Sequence, residues 1–133
     1  MKVFLFLIEC NGAVQTIILT PSQTGSIYSP NYPSRYGRNE NCKWRLTAPY
    51  GQKILIYFTS FDLEAVCCSC DMVKIVDGWS DSYHILSKGC RKSVPPPVYS
   101  SGRYLYITFE SDWAVEGRGF VARYKTLTSL SGK

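Results

Sequence analysis

The residues best suited to chemistry lie in one stretch, Phe61-Asp62-Leu63-Glu64-Ala65-Val66-Cys67-Cys68-Ser69-Cys70-Asp71. Two carboxylates, Glu64 and Asp71, bracket a knot of three cysteines. Strand-like runs flank the stretch, Lys53 to Ser60 before it and Met72 to Asp77 after it. Carboxylate oxygens are hard ligands of the kind that calcium takes, and cysteines in a short chain point to covalent staples. The combination predicts a divalent-cation site in a loop of a small extracellular β-domain.

Other chemistries fit the same residues less well. Structural zinc usually shows two spaced pairs of soft ligands. Here Cys67, Cys68 and Cys70 crowd together, Cys90 is distant, and His84 is the sole histidine. A redox Cys67-x-x-Cys70 would normally open a helix, and no helical periodicity surrounds it. Six cysteines allow fifteen pairings on composition alone. With one histidine, no nucleophile elbow and no HExxH helix, the chain offers no catalytic constellation, so it is expected not to be an enzyme.

The elements that must position these residues read as short strands. Val14 to Thr20 is β-branched and apolar, and Pro21 to Gly25 breaks it. Pro30-Asn31-Tyr32-Pro33-Ser34 is an extended loop, because two prolines three positions apart leave no room for a helix. Cys42 to Ala48 alternates, with Cys42, Trp44 and Leu46 on one face and Lys43, Arg45 and Thr47 on the other, which predicts a half-buried strand. Lys53 to Ser60 is apolar on both faces and reads as a central strand. Val73 and Ile75 point inward from the next strand, which ends at an Asp77-Gly78 turn. His84 to Leu86 is a short strand, Pro95-Pro96-Pro97 is a stiff spacer, Arg103 to Glu110 is a strand of strict alternation, and Phe120 to Lys125 is the last strand. Many short strands with breakers about every ten residues and no helix predict an all-β sandwich.

Composition narrows the class further. The 133 residues are one domain's worth, 45% hydrophobic, with a net charge of +5. No apolar run approaches the roughly 20 residues of a membrane span. Lysine and arginine are scattered, with no basic run of the kind that binds nucleic acid. The excess of positive charge leaves room for acidic partners such as sulfated glycans. Met1 to Ile8 has one positive charge followed by apolar residues, the form of a signal peptide, but with a run shorter than the roughly 7–15 residues of an ordinary leader. Residues 1–9 are therefore assigned to an atypical or truncated leader, and residues 126–133 to a flexible polar tail. The chain has no Asn-x-Ser/Thr sequon, so N-glycosylation is not expected.

Several motifs in order resemble a known family. Gly25-Ser26-Ile27-Tyr28-Ser29-Pro30-Asn31-Tyr32-Pro33-Ser34-Arg35-Tyr36 followed by Asn41-Cys42-Lys43-Trp44 is similar to the opening of a CUB domain. Phe61-Asp62-Leu63-Glu64, Cys68-Ser69-Cys70-Asp71 and Asp77-Gly78 are similar to its middle. Ser111-Asp112-Trp113 and Gly119-Phe120-Val121-Ala122-Arg123-Tyr124 are similar to its end. The resemblance covers residues 10–125 and implies a jelly-roll-like sandwich of two antiparallel sheets, secreted, with disulfides Cys10–Cys42 and Cys68–Cys90. Cys67 and Cys70 exceed the family pattern; they pair with each other, with another chain or with nothing. The spacing from Glu64 to Asp71 is also about one residue short of the pattern.

The resemblance further implies a calcium ion held by Glu64, Asp71 and Asp112, with Tyr36 as the donor that orients a carboxylate. Backbone carbonyls between Trp113 and Gly117, together with water, would complete the six to eight oxygens that calcium takes. It implies calcium-dependent recognition of an extracellular protein that presents a lysine to these acids. The alternative is a glycan- or heparin-binding protein like the spermadhesins, which are free single CUB domains.

Overall fold

The computed structural model describes residues 10–63, 67–112 and 117–128. Segment 1–9, assigned above to a leader, lies outside the described residues, as do 129–133 of the expected tail. Nine strands follow in order: β1 (Val14–Ile18), β2 (Thr24–Tyr28), β3 (Asn41–Thr47), β4 (Gln52–Asp62), β5 (Met72–Asp77), β6 (His84–Cys90), β7 (Val98–Tyr99), β8 (Tyr104–Glu110) and β9 (Gly119–Thr128). They form two sheets, β1-β3-β8-β5-β6 and β2-β9-β4-β7, and the described residues contain no helix. The fold is the all-β two-sheet sandwich expected from the strand pattern. One pairing departs from the antiparallel rule: β1 lies parallel to β3, with Gln15 opposite Trp44.

Side-chain alternation builds the core. From β3, Cys42, Trp44 and Leu46 turn inward while Lys43, Arg45 and Thr47 face out. Leu105, Ile107 and Phe109 of β8 and Val73 and Ile75 of β5 join them from the same sheet, and Ile54, Ile56, Phe120 and Ala122 close the core from the other. Rings meet edge to face, as their quadrupoles favour: Trp44 with Phe120 and Phe109 with Phe120.

Two elements differ from the sequence reading. β4 carries a bulge between Phe58 and Ser60. The extra residue shifts the alternation, so Phe58 and Phe61 pack on the same side with ring centroids 5.3 Å apart. β4 has a neighbour on each edge, but β7 covers only Leu55 and Ile56 on one of them. β9 runs through Thr128, beyond the expected end at Lys125. Thr126 is 1% exposed; its hydroxyl donates to the carbonyl of Thr20 and accepts the backbone N–H of Gln23. A polar side chain satisfied in this way sits inside a sheet at no unpaired cost.

Candidate metal centre

The antiparallel arrangement brings the start of β3, the end of β4, the start of β5 and the end of β8 to one end of the sandwich. Asp71 immediately precedes β5 and Asp112 follows β8 by two residues, so the register between β5 and β8 places the two acids side by side. Asp71 has no solvent-exposed surface. The Tyr36 hydroxyl donates to its Oδ2 at 2.5 Å, and the Asp112 backbone N–H donates to its Oδ1 at 3.0 Å.

Tyr36 is itself 1% exposed and packs edge to face on Phe109, with centroids 4.9 Å apart. Its backbone N–H donates to the carbonyl of Gly117, one of the carbonyls expected to face the ion. Glu64 and residues 113–116, also expected at the site, lie outside the described residues.

A second set of contacts, which the sequence reading missed, ties the loop before β3 to the loop after β8. The carbonyl of Asp112 accepts the N–H of Asn39 at 2.7 Å. The Ser111 hydroxyl accepts from the Glu40 N–H and donates to the Gly37 carbonyl, both at 2.9 Å, and Glu40 Oε2 accepts the Gly37 N–H. Asp112 is thus held through its N–H by Asp71 and through its carbonyl by Asn39. No local sequence pattern announces these partners, which are brought together only by the pairing of β3 with β8.

The electrostatics suit a cation. Burial pushes the Asp71 carboxyl above its ordinary pKa, and the neighbouring charge of Asp112 pushes the same way, against the hydrogen bonds from Tyr36 and Asp112. No positive charge is among the causes. Ionising Asp71 here carries a cost that a divalent ion would remove. Two hydrogen bonds also leave lone pairs on a carboxylate that has about four sites. The donor chemistry, hard oxygen throughout, fits calcium.

The cysteines contribute staples. Cys10 is bonded to Cys42, Cys67 to Cys70 and Cys68 to Cys90. No thiol is left to hold zinc or to act in exchange. One cluster of metal-type side chains occurs among the described residues, Cys10, Glu40 and Cys42, and both of its sulfurs belong to a disulfide.

A stapled two-sheet sandwich with acids buried at a loop end has the build of an extracellular binding module. The family model of the CUB domain matches residues 10–124, and the chain belongs to that family. It is 42% identical to human neuropilin-2 over 109 residues, which is 80% of this chain and 12% of neuropilin-2. Among solved structures it is similar to the extracellular region of zebrafish Gpr126/Adgrg6, with TM-score 0.71 and 32% identity over 88% of this chain and 15% of that one. It is also similar to the MASP-1 CUB2 domain bound to Ca2+, with TM-score 0.66 and 29% identity over 86% of this chain and 98% of that one. The chain therefore spans about an eighth of the neuropilins it matches. CUB domains are non-catalytic and typically serve as extracellular protein–protein interaction modules. No helix among the described residues is long and apolar enough to cross a membrane.

Proposed function

We propose that this chain is a secreted interaction module whose loop end binds calcium and, through the same acids, a basic side chain of a partner protein. The observation that carries the reading is Asp71: a fully buried carboxylate, hydrogen-bonded to Tyr36 and Asp112, whose pKa is raised with no cation among the causes. The calcium-bound state of a similar CUB domain supports the choice of ion. Asp71 and Asp112, with Glu64, would hold it, and Tyr36 would fix the orientation of Asp71 through its hydroxyl. Residues 10–125 would form the module and residues 1–9 its leader.

Calcium supplies positive charge that holds mutually repelling acids on one loop apex. Asp112, tethered through both its N–H and its carbonyl, would then present a fixed oxygen to a lysine ammonium from the partner. The metal is structural in this reading: it orders the surface that recognises and catalyses nothing.

The test is a calorimetric calcium titration of the chain and of Asp112→Ala. The variant should bind calcium much more weakly. A short peptide carrying one lysine should shift the NMR amide signals of Asn39 and Asp112 in calcium and leave them in place in chelator. Unchanged calcium affinity in Asp112→Ala would remove Asp112 from the site.

A further inference from the structure

The outer face of the five-stranded sheet carries a row of cations that the loop-end site does not use. Lys43 of β3 lies opposite Thr108 of β8, Thr108 lies opposite Lys74 of β5, and Lys74 lies opposite Lys88 of β6. Their chain neighbours Cys42, Trp44, Val73, Ile75, Ser87 and Gly89 are buried, so all three lysines point away from the core. With strands ~4.8 Å apart, the row crosses three strand intervals, about 14 Å.

Arg45 adds a fourth charge one row along. It is fixed by stacking 3.8 Å over the Trp79 ring and by donating to the Trp79 carbonyl and the Thr16 hydroxyl. Among the described residues no carboxylate is ion-paired with Lys43, Lys74 or Lys88. Acids beside the face are Glu110, two residues beyond Thr108 on β8, and Asp81, whose charge adds to burial in raising the Tyr106 hydroxyl pKa.

The arrangement is costly for the fold alone. Like charges directly opposite on paired strands destabilise the pair, and Lys74 faces Lys88 in register. The other sheet also carries cations outward, but there Lys125 faces Leu55 and Lys53 faces Leu127, so no two oppose each other. A sheet face bearing unpaired lysines suits an extended ligand of high negative charge. Lysine is a point charge that reads charge density, unlike the planar fork by which arginine reads a single carboxylate or phosphate. A hollow of about 230 Å3 lies along the row, lined by Lys74, Lys88, Thr108, Glu110, Ser69 and Met72.

We propose that the row of Lys43, Lys74 and Lys88 is a second binding site, for a sulfated polysaccharide chain lying across the strands, independent of calcium. Sulfated glycans are the extended polyanions that a module of extracellular type meets, and their sulfates stay charged at any physiological pH. The site is separate from the loop-end acids, so its failure would leave the calcium reading untouched.

The test uses the full chain on immobilised heparin, eluted by salt, with and without chelator. Lys74→Gln/Lys88→Gln should elute at clearly lower salt, with affinity reduced on the order of thirtyfold, at about fivefold for each lysine held against an anionic surface. Lys43→Gln alone should lose about fivefold. The charge-matched control Lys53→Gln/Lys125→Gln, on the other sheet, should elute close to the unmodified chain, and chelator should change nothing. Thermal unfolding of each variant checks that the fold persists. Equal losses in the two double variants would reduce the effect to net charge and overturn the site. Binding abolished by chelator would move it to the loop end and overturn it. Polyglutamate binding to the row as tightly as heparin would overturn the choice of a glycan in favour of an acidic protein segment.

Discussion

Asp71→Asn should change the stability of this domain in opposite directions with and without calcium. The substitution keeps the shape and one of the two hydrogen bonds: the amide oxygen accepts from the Asp112 N–H, while the amide nitrogen donates to the Tyr36 hydroxyl oxygen, which reverses the direction of the contact that the hydroxyl now donates. What it removes is a charge with no exposed surface. In chelator that charge is a burden, because burial raises the folded pKa above the ordinary value of 3.8. Below 3.8 both folded and unfolded chains hold the proton, and the domain has its full stability from this group. As pH rises from there to the folded pKa, the folded chain keeps a proton that the unfolded chain has lost, and stability falls. Above the folded pKa the loss is complete, so at pH 7 in chelator Asp71→Asn should be at least as stable as the unmodified chain, and its pH profile flatter.

Calcium reverses the order. A ligand that binds the native state alone adds roughly 2.7 kcal/mol at a hundred times its dissociation constant. With an unfolding entropy of about 2.1 cal/mol/K per residue, a chain of 133 residues should gain about 10 °C in Tm. Asp71→Asn, stripped of a charged ligand, should keep only a small part of that shift. In calcium the unmodified chain should also lose stability on acidification, because the ion holds Asp71 ionised and protonation expels it. Differential scanning calorimetry across pH 4–8, in calcium and in chelator, reads all of this. An equal calcium shift in Asp71→Asn would refute Asp71 as a ligand. A variant less stable than the unmodified chain throughout the chelator series would refute the claim that burial works against the charge.

Tyr36→Phe removes the donor to Asp71 Oδ2 while leaving the ring on Phe109, and should cost about 1.5–3 kcal/mol by chemical unfolding in calcium, the range for a hydrogen bond to a charged group. Removing Cys67–Cys70, whose loop separation is 3, should cost about 2 kcal/mol, and removing Cys68–Cys90, whose separation is 22, about 3.4 kcal/mol, on chain-entropy grounds; denaturant midpoints of the two Cys→Ser pairs should fall in that order. Gly119→Ala should lower Tm by about 8 °C or more. Gly119 has φ +102, and an added Cβ would fall 1.8 Å from Ser29 Oγ, breaking that hydroxyl's bond to the Phe120 N–H. Lys88→Glu converts the opposed Lys74–Lys88 pair into an attractive one and should raise stability by about 0.2–1 kcal/mol at low salt while weakening retention on heparin; a loss of stability would show that the pair is not repulsive.

What the sequence revealed, and what it hid, follows from the range of the forces involved. The alternation in Cys42 to Thr47 was legible because that strand buries one face, and burial is written residue by residue; Leu105 to Phe109 of β8 are buried on both faces, so only the alternation of side-chain type marked that strand. The bulge in β4 was not, since it exists only in the register with β9 and leaves no local mark on Phe58 to Phe61. Nor was the parallel pairing of β1 with β3, which no turn chemistry specifies. Thr126 and Thr128 look like tail by composition and are strand by structure, because the partners of Thr126, Thr20 and Gln23, lie about a hundred residues away in the chain. At the loop end, Tyr36, Asp71 and Asp112 were legible as a group through family motifs and meet in the structure. The clamps from Asn39, Glu40 and Ser111 depend on tertiary contact alone and had no signal to read.

The net charge of +5 hides a division that the strand order creates. Glu40, Asp62, Asp71 and Asp112 all adjoin strand ends that the antiparallel pairing gathers at one pole. Lys43, Lys74 and Lys88 sit mid-sheet, where alternation turns them outward. β5 serves both: Asp71 precedes its first residue, and Lys74 is its third. A basic side chain at the pole and a polyanion on the sheet would therefore not compete for surface. Their salt responses should differ as well, because an interaction centred on the half-buried Asp112 is screened less than one between exposed charges. The two proposed surfaces thus meet at one short strand, whose pleat turns Lys74 outward while Asp71 stays buried.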